Sequence, residues 1–147
     1  MKRKILITLL VVLVLGVGAA AVGLMMYYKP HKDFATADVD VTISAKDLSA
    51  AFDADETNAT WAYVKGDKTI LVSGAVREVS TAGVSGAEVV LEGSETSGTV
   101  ACTLMPDQSE KAKLLKKGDR VSIKGQCTGS QELIEKQVIL IRCAIAE

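Results

Sequence analysis

Residues 69–79 read TILVSGAVREV, and no other run limits the fold as tightly. Ile70, Val72 and Val76 occupy one phase of a two-residue alternation, with Ser73 and Arg77 on the other and Gly74 in the middle. The pattern predicts a long half-buried strand with a glycine where it must bend. A strand that bends and finds partners along both halves is how a small five-stranded barrel begins.

Four further alternating segments follow. The second strand is expected over 87–92, where Ala87, Val89 and Leu91 alternate with Glu88 and Glu92. Gly83 and Gly86 mark the turn before it, and the GSETSG run at 93–98 the turn after it. The third covers 99–104, with Val100, Cys102 and Leu104 on one phase, and Pro106 ends it. The fourth covers 119–128, with Val121, Ile123, Gly125 and Cys127 facing inward. The fifth covers 136–145, with Ile139, Ile141, Cys143 and Ile145 on one phase and Val138 and Leu140 on the other, a strand covered on both sides.

Two helices complete the domain. Ser44-x-x-Asp47 resembles a capping box, and Leu48, Phe52, Asp55, Ala59 and Ala62 follow a 3.6-residue rhythm, so one amphipathic helix is expected from 45 to about 64, stopping at Gly66. A shorter helix runs from Ser109 to about Lys117, with Lys111, Lys113, Lys116 and Lys117 as a solvated face. A helix between strands three and four is the arrangement of the OB fold, a Greek-key barrel. The expected class is therefore mainly β with helices, a five-stranded OB barrel behind an N-terminal amphipathic helix.

Ahead of the domain, Ile5 to Tyr28 contains no charged residue. Such a stretch spans a hydrocarbon core of ~30 Å as a helix. Lys2, Arg3 and Lys4 lie on one flank, and Lys29 and Lys32 with Asp33, Asp38 and Asp40 on the other. Positive charge stays inside, so Met1 is expected in the cytoplasm and the domain in the periplasm, on a single-pass anchor of a bacterial inner membrane. Ala19-Ala20-Ala21 offers the competing reading, a cleaved signal peptide. The segment holds no cysteine to carry a lipid. The divisions expected are anchor 1–28, linker 29–42 and barrel 43–147. His31, the only histidine, falls in that linker and reads as a solvated residue.

Charge and aromatic content bear on partners. Beyond residue 4 the chain carries 14 basic and 18 acidic residues, whereas nucleic-acid binders are usually basic. From Val64 to Glu147 there is no aromatic residue, so the strands offer bases nothing to stack on. A nucleic-acid or oligosaccharide groove would need Arg77, Lys124 and Arg142, all on outward phases. No paired carboxylates, phosphate loop, metal-ligand spacing or nucleophile–histidine pair stands out, so neither a cofactor nor an enzymatic activity is expected.

Cys102, Cys127 and Cys143 all lie on inward phases. Strands three and five are neighbours in an OB barrel, so Cys102 and Cys143 are the pair to test for a disulfide, and Cys127 is expected at the opposite end from Cys143. Three small buried hydrophobes are the alternative.

The run ISAKDLSAAFDADETNATWAYVKGDKTILVSGAV, then VACTL, LLKKGDRVSIKGQCTG and VILIRC, resembles the tRNA-anti-like family of bacterial cell-envelope OB-fold proteins. Tyr63…Gly74, Lys117-Gly118-Asp119, Gly125-x-Cys127-x-Gly129 and Cys143 carry the likeness. The resemblance implies fold and address, and supplies no catalytic residue. The function expected is a membrane-anchored module that binds a protein or another envelope ligand.

Overall fold

The computed structural model describes residues 1–28, 33–81, 86–95 and 97–146, in two compact units, Met1–Lys32 and Asp33–Glu147. The first unit is helix α1, Lys2–Tyr27, with no buried residue. Its 26 residues reach about 39 Å, longer than a ~30 Å hydrocarbon core. Among the described residues it is the one helix long and apolar enough to cross a membrane. Lys29, His31, Lys32 and Gly83 lie outside the described residues.

The second unit starts at Asp33, earlier than the expected boundary at 43. Phe34 is buried, and the Ala37 carbonyl accepts a hydrogen bond from Lys124 Nζ. A short strand, β1 (Val41–Ser44), straddles the end of the segment expected as linker and runs parallel to the strand that opens the barrel. One apolar ring and a four-residue strand are too short to show a period, so the segment reads as polar tether.

Helix α2 (Ala45–Ala54) follows directly. Asp47 N–H donates to Ser44 Oγ at 3.0 Å, the capping contact expected from the sequence. The single long helix predicted to 64 is instead broken at Asp55, which adopts φ −158°, ψ 96°. Its carboxylate accepts from Asn58 N–H at 3.0 Å and from Asn58 Nδ2 at 2.7 Å, so it caps a second helix, α3 (Glu56–Ala59). A π-helical turn, Thr60–Val64, ends the segment.

Five strands then close the barrel: β2 (Ile70–Ser80), β3 (Glu88–Ser94), β4 (Ser97–Leu104), β5 (Arg120–Glu132) and β6 (Lys136–Ala146). Helix α4 (Ser109–Lys113) connects β4 to β5. Strand β2 pairs with β5 through 70–75 and with β3 through 76–80, and β4 and β6 pair in parallel. The circuit β2-β3-β4-β6-β5 thus returns to β2, the five-stranded OB arrangement. The irregularity in β2 falls between Val76 and Glu78, two residues past Gly74, where an extra residue opposes β3.

The inward phase matches expectation in four strands. Val72, Val89, Leu91, Val100, Ile123 and their neighbours fill the core, each worth roughly 1.5–3 kcal/mol relative to exposure. Strand β6 departs from it. Val138 and Leu140 point inward, and Ile139 and Ile141 are half-buried on the outer side. At Arg142, with φ 52°, β6 gains one residue against both β4 and β5, and Cys143 returns to the core. One extra residue reverses a period of two.

Candidate ligand surfaces and the thiol core

The OB barrel carries its candidate surfaces on three sides. On the outer face of β2, β3 and β4, Glu78 lies opposite Val90, Glu88 opposite Thr103, and Glu92 opposite Thr99. Between them Val90 lies opposite Ala101, so the face is built of small side chains with acidic groups around an apolar centre, and carries no ring to stack a base.

Of the three cations expected to form a groove, two share one side of the sheet and Arg77 stands apart from them. Arg77 Nη1 lies 3.1 Å from Glu135 Oε2 in an exposed ion pair. Lys124 sits opposite Leu71, six residues earlier along β2 than Arg77, about 20 Å at the rise of a strand. Arg142 is exposed on the bulge of β6, across from the Lys124–Gln126 stretch of β5. Lys124 and Arg142 therefore share the β5–β6 side, and Arg77 stands by the β5–β6 hairpin.

That hairpin is a feature the sequence reading missed. Leu133 is 80% exposed and Ile134 98%, the most exposed large apolar pair among the described residues of the barrel unit. A shallow groove of about 480 Å³ runs beneath Ile134, with Asp53, Glu95, Glu132 and Glu135 against Arg77 and Lys136. Both cations are engaged: Arg77 by Glu135, and Lys136 by the Phe52 carbonyl at 2.8 Å and more loosely by Asp53 at 3.9 Å. The groove is therefore net acidic around an apolar knob. The LIE run at 133–135 in a turn was the available signal.

All three cysteines are free thiols in the core. Cys102 lies opposite Leu140, and Cys143 opposite Leu104 on the same pair of strands. Their side chains meet in a hydrogen bond. Cys127 also pairs with Leu140, so it joins this cluster instead of lying at the far end; the bulge at Arg142 brings Cys143 round to it. Burial pushes Cys127 up from 9.0 to about 11, outweighing the Gly129 backbone hydrogen bond that lowers it. Burial, then the Cys102 thiol, raises Cys143 as well. A thiol held protonated is a poor nucleophile at neutral pH.

A pH dependence follows from Cys127. Its pKa is higher folded than unfolded, so its contribution is intact below pH 9 and is lost as pH rises towards 11. The loss reaches about 2 kcal/mol by pH 11, and Cys127→Ser should remove that part of the slope in urea titrations at pH 8 and pH 10.5. An unchanged slope would contradict the assignment.

Fold and closure define an OB-fold protein behind an apolar helix. The tRNA_anti-like family profile matches residues 1–145, and the chain belongs to that family. No curated protein matches the sequence. Among solved structures, it is similar to a candidate nucleic acid-binding lipoprotein from Klebsiella pneumoniae, at 16% identity and TM-score 0.55, over 72% of this chain and 92% of that one. A candidate aspartyl-tRNA synthetase from Leishmania major gives 15% identity and TM-score 0.48 over 86% of this chain and 26% of that one. The Stn1–Ten1 complex of S. pombe gives 13% and 0.38, over 54% and 58%.

Proposed function

We propose that this protein is a membrane-tethered binding module, without catalytic activity, that presents its barrel to a partner protein beyond the cytoplasmic face of a bacterial membrane. The carrying observation is the exposed Leu133–Ile134 knob with its acidic rim. Apolar side chains at a hairpin tip cost solubility and contribute nothing to the core, which is the profile of a contact residue. The rim charge favours a partner whose apolar pocket is edged with Lys or Arg. Helix α1 and the basic residues of its first turn support the tether and its direction.

Nucleic acid is the rival, raised by the family name and by the description of the Klebsiella relative. Against it stand Glu78, Glu88 and Glu92 on the face of β2–β3, where a phosphate backbone would be repelled. A photo-crosslinking residue at 134 in living cells tests the proposal, with a second at Leu114, 78% exposed at the end of α4, as control. A discrete protein adduct from 134 and none from 114 is expected. No adduct from 134, or the same adduct from both, would count against it.

A further inference from the structure

A second concavity, of about 700 Å³, lies away from the hairpin, where β1 ends, α2 begins, β5 starts and β6 finishes. Its volume falls within the ~300–1,000 Å³ of small-molecule sites. Three serines cross it in one row: Ser44 is in register with Ser73, and Ser73 with Ser122. The small residues Ala75 and Ala146 line the concavity, while the bare Cα of Gly74 makes room for Ala45 of α2.

The hydrogen bonds along this row are only partly used. Ser44 Oγ donates to Asp47 Oδ2 at 2.7 Å and accepts from Asp47 N–H. Ser73 and Ser122 share one hydrogen bond of 3.0 Å, which leaves that pair one hydroxyl proton and several lone pairs facing the cleft. Lys46 and Arg120 line the same cleft, and neither has an acidic partner among the described residues. Glu92 is the one carboxylate in the lining. Lys46 and Arg120 stand against Glu92, with the Asp47 carboxylate bonded to the cleft-lining Ser44, so the positive charge a ligand meets is that of the two cations themselves.

We infer that this cleft binds a monoanionic, hydroxyl-bearing small molecule, the chemistry of an acidic sugar. Arg120 presents a planar fork that suits a carboxylate, with Lys46 as the second cation. The Ser73–Ser122 pair and Glu92 accept from ligand hydroxyls. A phosphate monoester carries more negative charge and meets Glu92. The inference uses a different part of the barrel from the hairpin knob, so either can fail alone.

The test uses the full chain in zwitterionic micelles, titrated with sodium glucuronate, glucose and inorganic phosphate while the amide signals of Ser73, Arg120 and Ser122 are followed by NMR. Glucuronate should saturate with a Kd of roughly 1–10 mM, and glucose and phosphate should each bind at least about tenfold more weakly. Arg120→Gln and Lys46→Gln should each weaken glucuronate about tenfold, whereas Lys113→Gln, which removes a cation paired to Glu110 outside the cleft, should leave it unchanged. The inference is overturned by no saturation with glucuronate, by equal binding of glucose or tighter binding of phosphate, or by indifference to Arg120→Gln.

Discussion

Gly98→Ala should cost the barrel about 4 kcal/mol or more, a large part of the ~5–15 kcal/mol that holds a domain of this size together. Gly98 adopts φ +59° at the start of β4, and a Cβ there would coincide with the backbone carbonyl of Lys136 on β6. The parallel pairing of β4 with β6 begins one residue later, at Thr99 opposite Gln137. Relief would have to move that pairing, and with it the closure of the sheet. Gly118 is the control: its φ of +92° is as unusual, but nothing lies within 4 Å of its Cβ position. Gly118→Ala should therefore cost only the dihedral term of about 1–2 kcal/mol. Urea titration of the full chain in micelles, read by Trp61 fluorescence and circular dichroism, separates the two. Equal losses would mean that the Lys136 carbonyl does not obstruct Gly98.

Phe52→Ala should come next, at about 3–5 kcal/mol. Helix α2 lies against β3 and β4, with Leu48 and Phe52 fully buried. The Phe52 ring packs at 6.4 Å on Tyr63 of the π-helical turn, so its removal opens a void between the helical segment and the barrel. The helix cannot easily sink to fill it. Ser49 Oγ is fixed by Ser94 N–H at 2.9 Å, and Lys136 Nζ holds the Phe52 carbonyl at 2.8 Å. Phe52→Leu keeps most of the volume and should lose no more than about 1.5 kcal/mol. A loss below 1 kcal/mol for the alanine variant would show that α2 is not part of the cooperative core.

The residues that gave the fold away were those with strict alternation. Val89 and Leu91, and Val121 and Ile123, announced their strands and their inward faces because the other side of each meets solvent or polar cover, whereas in β4 Val100 and Leu104 alternate with Thr99 and Ala101, small residues that are buried too. Strand β6 could not be read this way, since QVILIRCAIA is apolar on both phases and the turn-over at Arg142 has no glycine to mark it. The spacing of Asp55 fits a helical position; the Asp-x-x-Asn spacing to Asn58 is the signal that it caps a new helix. Surface character was less legible still. Alternation shows that Arg77 points outward, but its Glu135 partner lies 58 residues away, and only the closed sheet brings the two together. The serine row likewise exists only in the register of three strands from distant parts of the chain.

A mobility-shift titration bears most directly on the account of the barrel surface. Full chain in micelles is mixed with mixed-sequence single-stranded DNA and RNA at about 20 mM salt, where phosphate contacts are strongest. An acidic face without aromatic residues should leave both oligonucleotides unshifted, with Glu78→Lys and Glu88→Lys together raising a shift where there was none. Retardation of the unaltered protein that disappears as salt is raised to about 200 mM would contradict it and make this barrel a reader of phosphate backbones.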